Sequence, residues 1–329
     1  MSTPAAPAAL PAVDLSAPIF ADEAAARAHL EALRWPGDPV CPHCGAAEGI
    51  RALEGRSHRP GLHQCNGCRG HFTVTVGTVM ERSHIPLRKW VLGFHLMAAS
   101  KKGMSAHQLH RMLGVTYKTA WFMAHRIREA MADRDASPIG GDGKAVEADE
   151  TYFGDKAEVT TRTKKGRSGH ASKRAVVALV ERGGGARALH MPKVTAANAG
   201  EALARHADPA SRRAGCIRTR ARCTAAARFA AHEAGKQNWG EYTRGPKGAG
   251  RVHTNSVEGF FGVSKRGMRG VYQRCGGRHL QRYLDEFAFR HNTRAKLGIG
   301  DTQRAALAVK GAAGKRLTCK RCLSAAAEG

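Results

Sequence analysis

The chain has 329 residues, and its 53 Lys and Arg against 27 Asp and Glu leave a formal charge of +26. That excess points to a polyanionic partner, nucleic acid before any other. No apolar run approaches the roughly 18 residues needed to span a bilayer, and no basic amphipathic anchor stands out, which excludes a membrane as the partner.

The opening MSTPAAPAALPAVDLS lacks the basic start and continuous apolar run of a signal peptide, so residues 1–19 read as a disordered Ala/Pro leader. The 9 cysteines are then thiols or metal ligands in a reducing cytoplasm. Ala and Leu at helical spacing predict a short helix from Phe20 to Leu33, ended by Trp35-Pro36-Gly37-Asp38. Cys41-Pro42-His43-Cys44 and Cys65-Asn66-Gly67-Cys68 follow, two C-x-x-C knuckles at the separation of a four-thiolate zinc ribbon. The residues between and after them alternate as strands do, through Phe72-Thr73-Val74-Thr75-Val76. Four protein ligands leave no open position on the metal, so the ribbon (residues 20–79 with its leading helix) is read as structural.

Residues 84–133 read as three helices. Pro86 starts the first, which runs to about Ala99. Ser105 caps a second over Ala106–Leu113, Gly114-Val115 turns the chain, and Thr116 caps a third over Tyr117–Met131. Two helices across a short Gly-containing turn outline a helix-turn-helix. In that reading Thr116, Tyr117, Lys118 and Thr119 open a recognition helix toward double-stranded DNA, with Arg126 further along it. An ordinary helical hairpin with Leu109, Leu113, Val115 and Ile127 as core is the alternative.

After a polar linker, Ala145–Phe153 reads as a strand carrying Asp149 and Glu150, Ala175–Val180 as a buried strand, and Ala186–Val194 as its hairpin return across Gly183-Gly184-Gly185. Thr195 caps a helix to about His206. Three antiparallel strands and a helix open an RNase H-like α/β domain, which requires a fourth strand near residues 212–220. Ser211–Ala230 does not read as one: it holds six Arg, six Ala, two Cys and no carboxylate.

Val252–Gln273 organises the chain. Asn255 is a good N-cap and Glu258 falls three residues on, as in a capping box. The sharper reading places Glu258, Gly262 and Lys265 on one helix face at i, i+4, i+7, with Val257, Phe260, Phe261 and Ser264 largely on the other. A carboxylate and an ammonium then flank a residue without a side chain, where an anionic backbone has room to approach. An amphipathic helix over 279–291 closes the domain, and residues 296–329 read as a helix and a basic tail.

With the Cys quartet, Asp149-Glu150-Thr151-Tyr152 and His253-Thr254-Asn255-x-x-Glu258 in view, the chain resembles the zinc-ribbon insertion-sequence transposases of the ISXO type, within the DDE superfamily. The resemblance covers about residues 20–318. It implies an RNase H-like core over residues 144–295, a mixed five-stranded sheet with helices, in which two Asp and one Glu hold paired Mg²⁺ or Mn²⁺. By similarity Asp149 is the first carboxylate and Glu258 the last, Asn255 is an added polar group at the metals, and Lys265, with Arg266 beside it, contacts donor DNA. The implied partners are the element's terminal repeats and target DNA, bound by a homodimer or higher oligomer on the bacterial nucleoid.

One departure stands out: the family's second Asp follows the fourth strand, and no carboxylate lies between Asp208 and Glu233. Residues 213–228 read as a shift of reading frame. Permitted codons for Ile217–Ala226, entered at the third base, spell Thr-Asp-Glu-Ser-Thr-Met-Tyr-Arg-Arg, with the Asp straddling Arg218 and Thr219. Three functions remain open: a DDE transposase by ancestry and architecture, active or inactive as written; a non-catalytic DNA-binding regulator or competitor of active transposase; and an RNase H-like nuclease of another kind.

Overall fold

A computed structural model describes residues 14–134, 137–154, 173–216, 231–234, 253–273 and 275–318. The chain divides into two units: residues 1–133 with 293–329, and residues 134–292.

In the first unit the predicted leading helix is split into α1 (Pro18–Ala21) and α2 (Glu23–Arg34). The break falls at Asp22, whose carboxylate accepts the Ala25 N–H at 2.7 Å and caps α2. The ribbon is a three-stranded antiparallel sheet of β1 (Ile50–Leu53), β2 (Leu62–Cys65) and β3 (His71–Phe72). The strand expected through Val76 stops at Phe72. Beyond it the chain turns, with Val76 N–H bonded to the Thr73 carbonyl and the Thr78 hydroxyl to the Thr75 carbonyl. Local Ser/Thr-type bonding has outcompeted the alternating pattern there.

The three helices that follow lie where the sequence puts them: α3 (Leu87–Ala99), α4 (Ala106–Leu113) and α5 (Tyr117–Met131). Ser105 and Thr116 cap α4 and α5, accepting the Gln108 and Thr119 amides. Gly114, at φ 57°, ends α4 in the left-handed conformation that a side chain disfavours. The last helix, α9 (Asp301–Lys310), packs on α3 as well as on α2 and α5. Its Arg304 is buried and donates to the carbonyls of Thr293 and Ala98. The segment after Thr293 therefore completes this unit.

The second unit is built on a five-stranded mixed sheet of β4 (Ala145–Phe153), β5 (Arg174–Glu181), β6 (Ala186–Met191), β7 (Arg212–Cys216) and β8 (Ala231–Ala234), in spatial order β6-β5-β4-β7-β8. β4, β5 and β6 pair antiparallel, whereas β7 and β8 run parallel to β4. The sequence reading found no fourth strand near 212–220, and β7 corrects it. A ladder is made by backbone groups, so the open edge of β4 accepts a segment of low strand propensity.

Alternation along β4 sorts its residues between two layers. Val146 and Ala148 face Leu203 and Ala207 with α6 (Ala196–His206), and Phe153 faces the opposite cluster. That cluster joins Val176, Ala178 and Val180 of β5 to Val257, Phe260 and Phe261 of α7 (Asn255–Gly267) and Leu280, Leu284 and Phe287 of α8 (Gly277–Asn292). Between α7 and α8 a π-helical turn spans Met268–Tyr272. There the Tyr272 hydroxyl donates to Glu286 at 2.7 Å, and Arg290 bonds the same buried carboxylate.

Candidate functional site

The four predicted ribbon ligands come together. The sulfurs of Cys41, Cys44, Cys65 and Cys68 lie within 4.8 Å of one another, with Cys41–Cys68 and Cys44–Cys65 at 3.7 Å. A tetrahedral zinc with Zn–S of about 2.3 Å requires S···S of about 3.8 Å, which the two pairs at 3.7 Å match. Burial raises the Cys41 thiol, but the amides of Cys44 and His43 and the neighbouring thiols outweigh it and leave it at about 7. The Ala46 amide favours the Cys44 thiolate, yet its three sulfur neighbours push it up to about 12. Sulfurs crowded this closely give up their protons one at a time, and a divalent ion removes the conflict.

The second constellation lies on β4 and α7. Asp149 sits at the middle of β4, opposite Ala178 on one side and Cys216 on the other, and shares a face with Phe153 toward α7. Its Oδ1 accepts the Glu150 amide at 2.8 Å. Burial lowers the pKa of Lys265 on α7; Arg269 and Lys173 add to this, and the Asp149 carboxylate opposes it. Asp149 and Lys265 are thus close enough to feel each other's charge. Glu258 is exposed in the first turn of α7, its Oε1 accepting the Thr254 hydroxyl at 2.7 Å. Val257, Phe260, Phe261 and Ser264 are buried, and a Cβ at Gly262 would meet only the tip of Arg266 at 3.8 Å. Arg266 is exposed at the far end of the helix.

Asn255 does not cap α7. It is the first helical residue and is exposed, and Thr254 holds the cap position without a side-chain bond to a backbone amide. The first amides are taken instead by Glu147 of β4, which is fully buried. Its Oε2 accepts Ser256 N–H at 2.7 Å and Val257 N–H at 3.1 Å, and its Oε1 accepts the Ser256 hydroxyl at 3.0 Å. Arg182 Nε and His253 Nδ1 meet the same oxygen at 2.7 and 3.2 Å. A carboxylate supplied across 110 residues outcompetes a local cap because it brings full charge to the positive end of the helix. The sequence reading passed over Glu147. Its signal was a charged residue two positions before Asp149, on the same face of the strand.

The start of α5 is presented to solvent: Thr116, Tyr117 and Lys118 are exposed and Thr119 is half-buried. The Tyr117 ring stacks on His107 of α4 at 4.3 Å between centroids. Arg126 is placed differently from the expectation. It is buried, donates to the Glu81 carbonyl at 3.2 Å and lies over the Phe122 ring at 4.6 Å, so it braces α5 from inside.

Residues 141–292 match the ISXO2-like transposase domain family, and residues 21–71 match the transposase zinc-ribbon domain. The chain thus carries an ISXO2-like transposase domain and a transposase zinc ribbon. It is 32% identical over 133 residues to an uncharacterised protein in the transposable element ISH50 of Halobacterium salinarum. That match covers 40% of this chain and 42% of the relative, so it spans less than half the length of either.

In this ISXO2-like transposase domain the carboxylates Asp149 and Glu258 offer oxygen donors, the kind that hard divalent ions prefer. Among the described residues the Cys quartet is the group of three or more metal-ligating side chains drawn together. The segment from Ile217 to Ala230, where the second Asp is expected and where the frame shift was read, lies outside the described residues.

Proposed function

We propose that this chain is an insertion-sequence transposase by architecture, built to cut and join DNA at the ends of its element. The observation that supports the reading is the arrangement around β4: Asp149 at mid-strand, a parallel β7 ending beside it at Cys216, and α7, the helix that bears Glu258, in contact with the same strand. We read this as an RNase H-like core. A bound Mg²⁺ or Mn²⁺ would supply charge neutralisation for an in-line displacement at phosphorus. Asp149 and Glu258 would hold the ion. Lys265, half-buried on the exit of the same helix, would bind a phosphate of the donor strand, with Asn255 as an added polar contact and Arg266 as a further cation. Water is the nucleophile for cutting, and the freed 3′-hydroxyl for joining.

The exposed opening of α5, Thr116 to Thr119, would enter the major groove of the terminal repeats as the recognition helix of a helix-turn-helix, and the cationic surface would bind backbone phosphates. A homodimer or higher oligomer would bring two ends together, on the nucleoid of a bacterial cytoplasm. Zinc would fix the ribbon and take no part in the chemistry.

A second reading is favoured by one observation: residues 209–232 contain no carboxylate. A carboxylate set short of its central member leaves cations poorly neutralised beside an Arg-rich segment, so the chain as written would bind DNA and cut it poorly. We attribute the missing Asp to a shift of reading frame over residues 213–228. The test uses a labelled duplex carrying the element's ends, with Mg²⁺ and Mn²⁺, and compares the chain as written with a frame-restored one. Cleavage only by the restored protein, abolished by Asp149→Ala, supports the reading. Normal cleavage by the chain as written, or a gene in which no single shift yields Asp there, refutes it.

A further inference from the structure

We infer that Glu147 is the positioning residue of the carboxylate site: it locks the first turn of α7, and with it Glu258, to the strand that carries Asp149. The inference deepens the metal-carboxylate reading and rests on it for the role of Glu258, though not for the anchoring itself.

Three observations carry it. Glu147 and Asp149 are two residues apart on β4, so their side chains leave the same face about 7 Å from one another. Glu147 bonds the amides of Ser256 and Val257, and Glu258 is the next residue, so the ligand-bearing turn has little freedom to swing. The carboxylate is itself held: Arg182 donates to it through Nε and, through Nη2, to the His253 carbonyl at 2.9 Å, which fixes the chain just before the helix. The anchor thus ties β4, β5 and the entry to α7 into one frame.

Glu147 is not a substitute for the absent metal ligand. A carboxylate offers about four lone-pair sites. Four donors already converge on this one, from Ser256 N, Val257 N, Ser256 Oγ and Arg182 Nε, with the His253 ring 3.2 Å away. It is fully buried beneath the helix start, whereas Glu258 one turn later is exposed. One carboxylate orients and the other is presented. The charge on Glu147 is needed because unpaired amides at a helix N-terminus carry partial positive charge, and a neutral amide side chain would turn a donor toward them.

The test uses the full-length chain and its Glu147→Gln, Glu147→Asp and Ser256→Ala variants. Amide hydrogen exchange is read for residues 255–261, with residues 176–180 of β5 as internal reference. Glu147→Gln is expected to accelerate exchange in 255–261 at least tenfold with 176–180 unchanged. Glu147→Asp, which keeps the charge on a shorter stem, is expected to fall between. Titration with Mn²⁺, followed by the electron paramagnetic resonance of the free ion, is expected to show at least tenfold weaker binding in Glu147→Gln, partial recovery in Glu147→Asp, and loss in Asp149→Asn. Unchanged exchange in 255–261, or equal acceleration in both segments, overturns the anchoring. Wild-type Mn²⁺ affinity in Glu147→Gln overturns the positioning of Glu258. If the wild type binds no Mn²⁺ that Asp149→Asn removes, the metal reading fails by itself and the exchange data still decide the anchor. Should Glu147→Gln not fold, Ser256→Ala is compared in the same two segments, and no selective acceleration in 255–261 overturns the anchor.

Discussion

Replacing Cys65 with Ser is expected to unfold the ribbon and leave the sheet of the second unit standing. The ribbon has little else to hold it. Its strands β1, β2 and β3 are short, and Phe72 is the large apolar side chain fully buried within them. Burying one Phe contributes about 1.5–3 kcal/mol. Ordering a residue costs about 1–2 kcal/mol of backbone entropy, summed over the whole loop between the knuckles. Zinc bound by a thiolate set supplies on the order of 10–16 kcal/mol, several times the burial of that Phe. Cys65 is buried and its sulfur lies 3.7 Å from that of Cys44, so the neutral, shorter hydroxyl of Ser leaves the cage open at its centre. The assay is zinc per chain after gel filtration, with cobalt substitution to read a tetrahedral thiolate spectrum, and calorimetry to follow the second unit. One zinc per chain is expected in the wild type and none in Cys65→Ser, with the transition of the second unit retained. Stoichiometric zinc in a variant lacking all four thiols would refute the assignment.

Lys118→Ala is expected to weaken binding to end sequences more than Lys310→Ala, and to lower the salt slope by about 0.9 for each phosphate it no longer neutralises; equal weakening by both, measured by anisotropy at several salt concentrations, would count against the opening of α5 as the reading element. Leu284→Ala, in the α7–α8 core, is expected to cost about 2–5 kcal/mol in urea unfolding, because Leu284 is fully buried between β5 and the two helices. Lys265 has its pKa lowered by burial, so between that value and the ordinary 10.5 the unfolded chain binds more protons than the native one. Stability therefore rises with pH across that window, and a pH series of unfolding curves should lose this rise in Lys265→Met.

The parts legible in the sequence were those governed by neighbours in the chain. The knuckle spacing of Cys41/Cys44 and Cys65/Cys68 defined the thiolate cage, and Ser105, Gly114 and Thr116 fixed the bounds of α4 and α5, because caps and turns are local chemistry. What escaped depended on partners far along the chain. The cap of α7 is such a case, since Asn255 was the obvious local candidate and the donors went to Glu147. The strand β7 is another, stabilised by an edge it did not itself encode. Arg126 looked like a DNA-binding residue until packing turned it inward to Glu81.

The return of the chain to its first unit bears on synthesis. Residues 134–292 interrupt the unit formed by residues 1–133 and 293–329, and α9 with its buried Arg304 packs on α3. A ribosome must therefore pass residue 310 before α3 gains the packing of α9. A product cut short anywhere in the inserted unit lacks α9 and leaves the inner face of α3 uncovered.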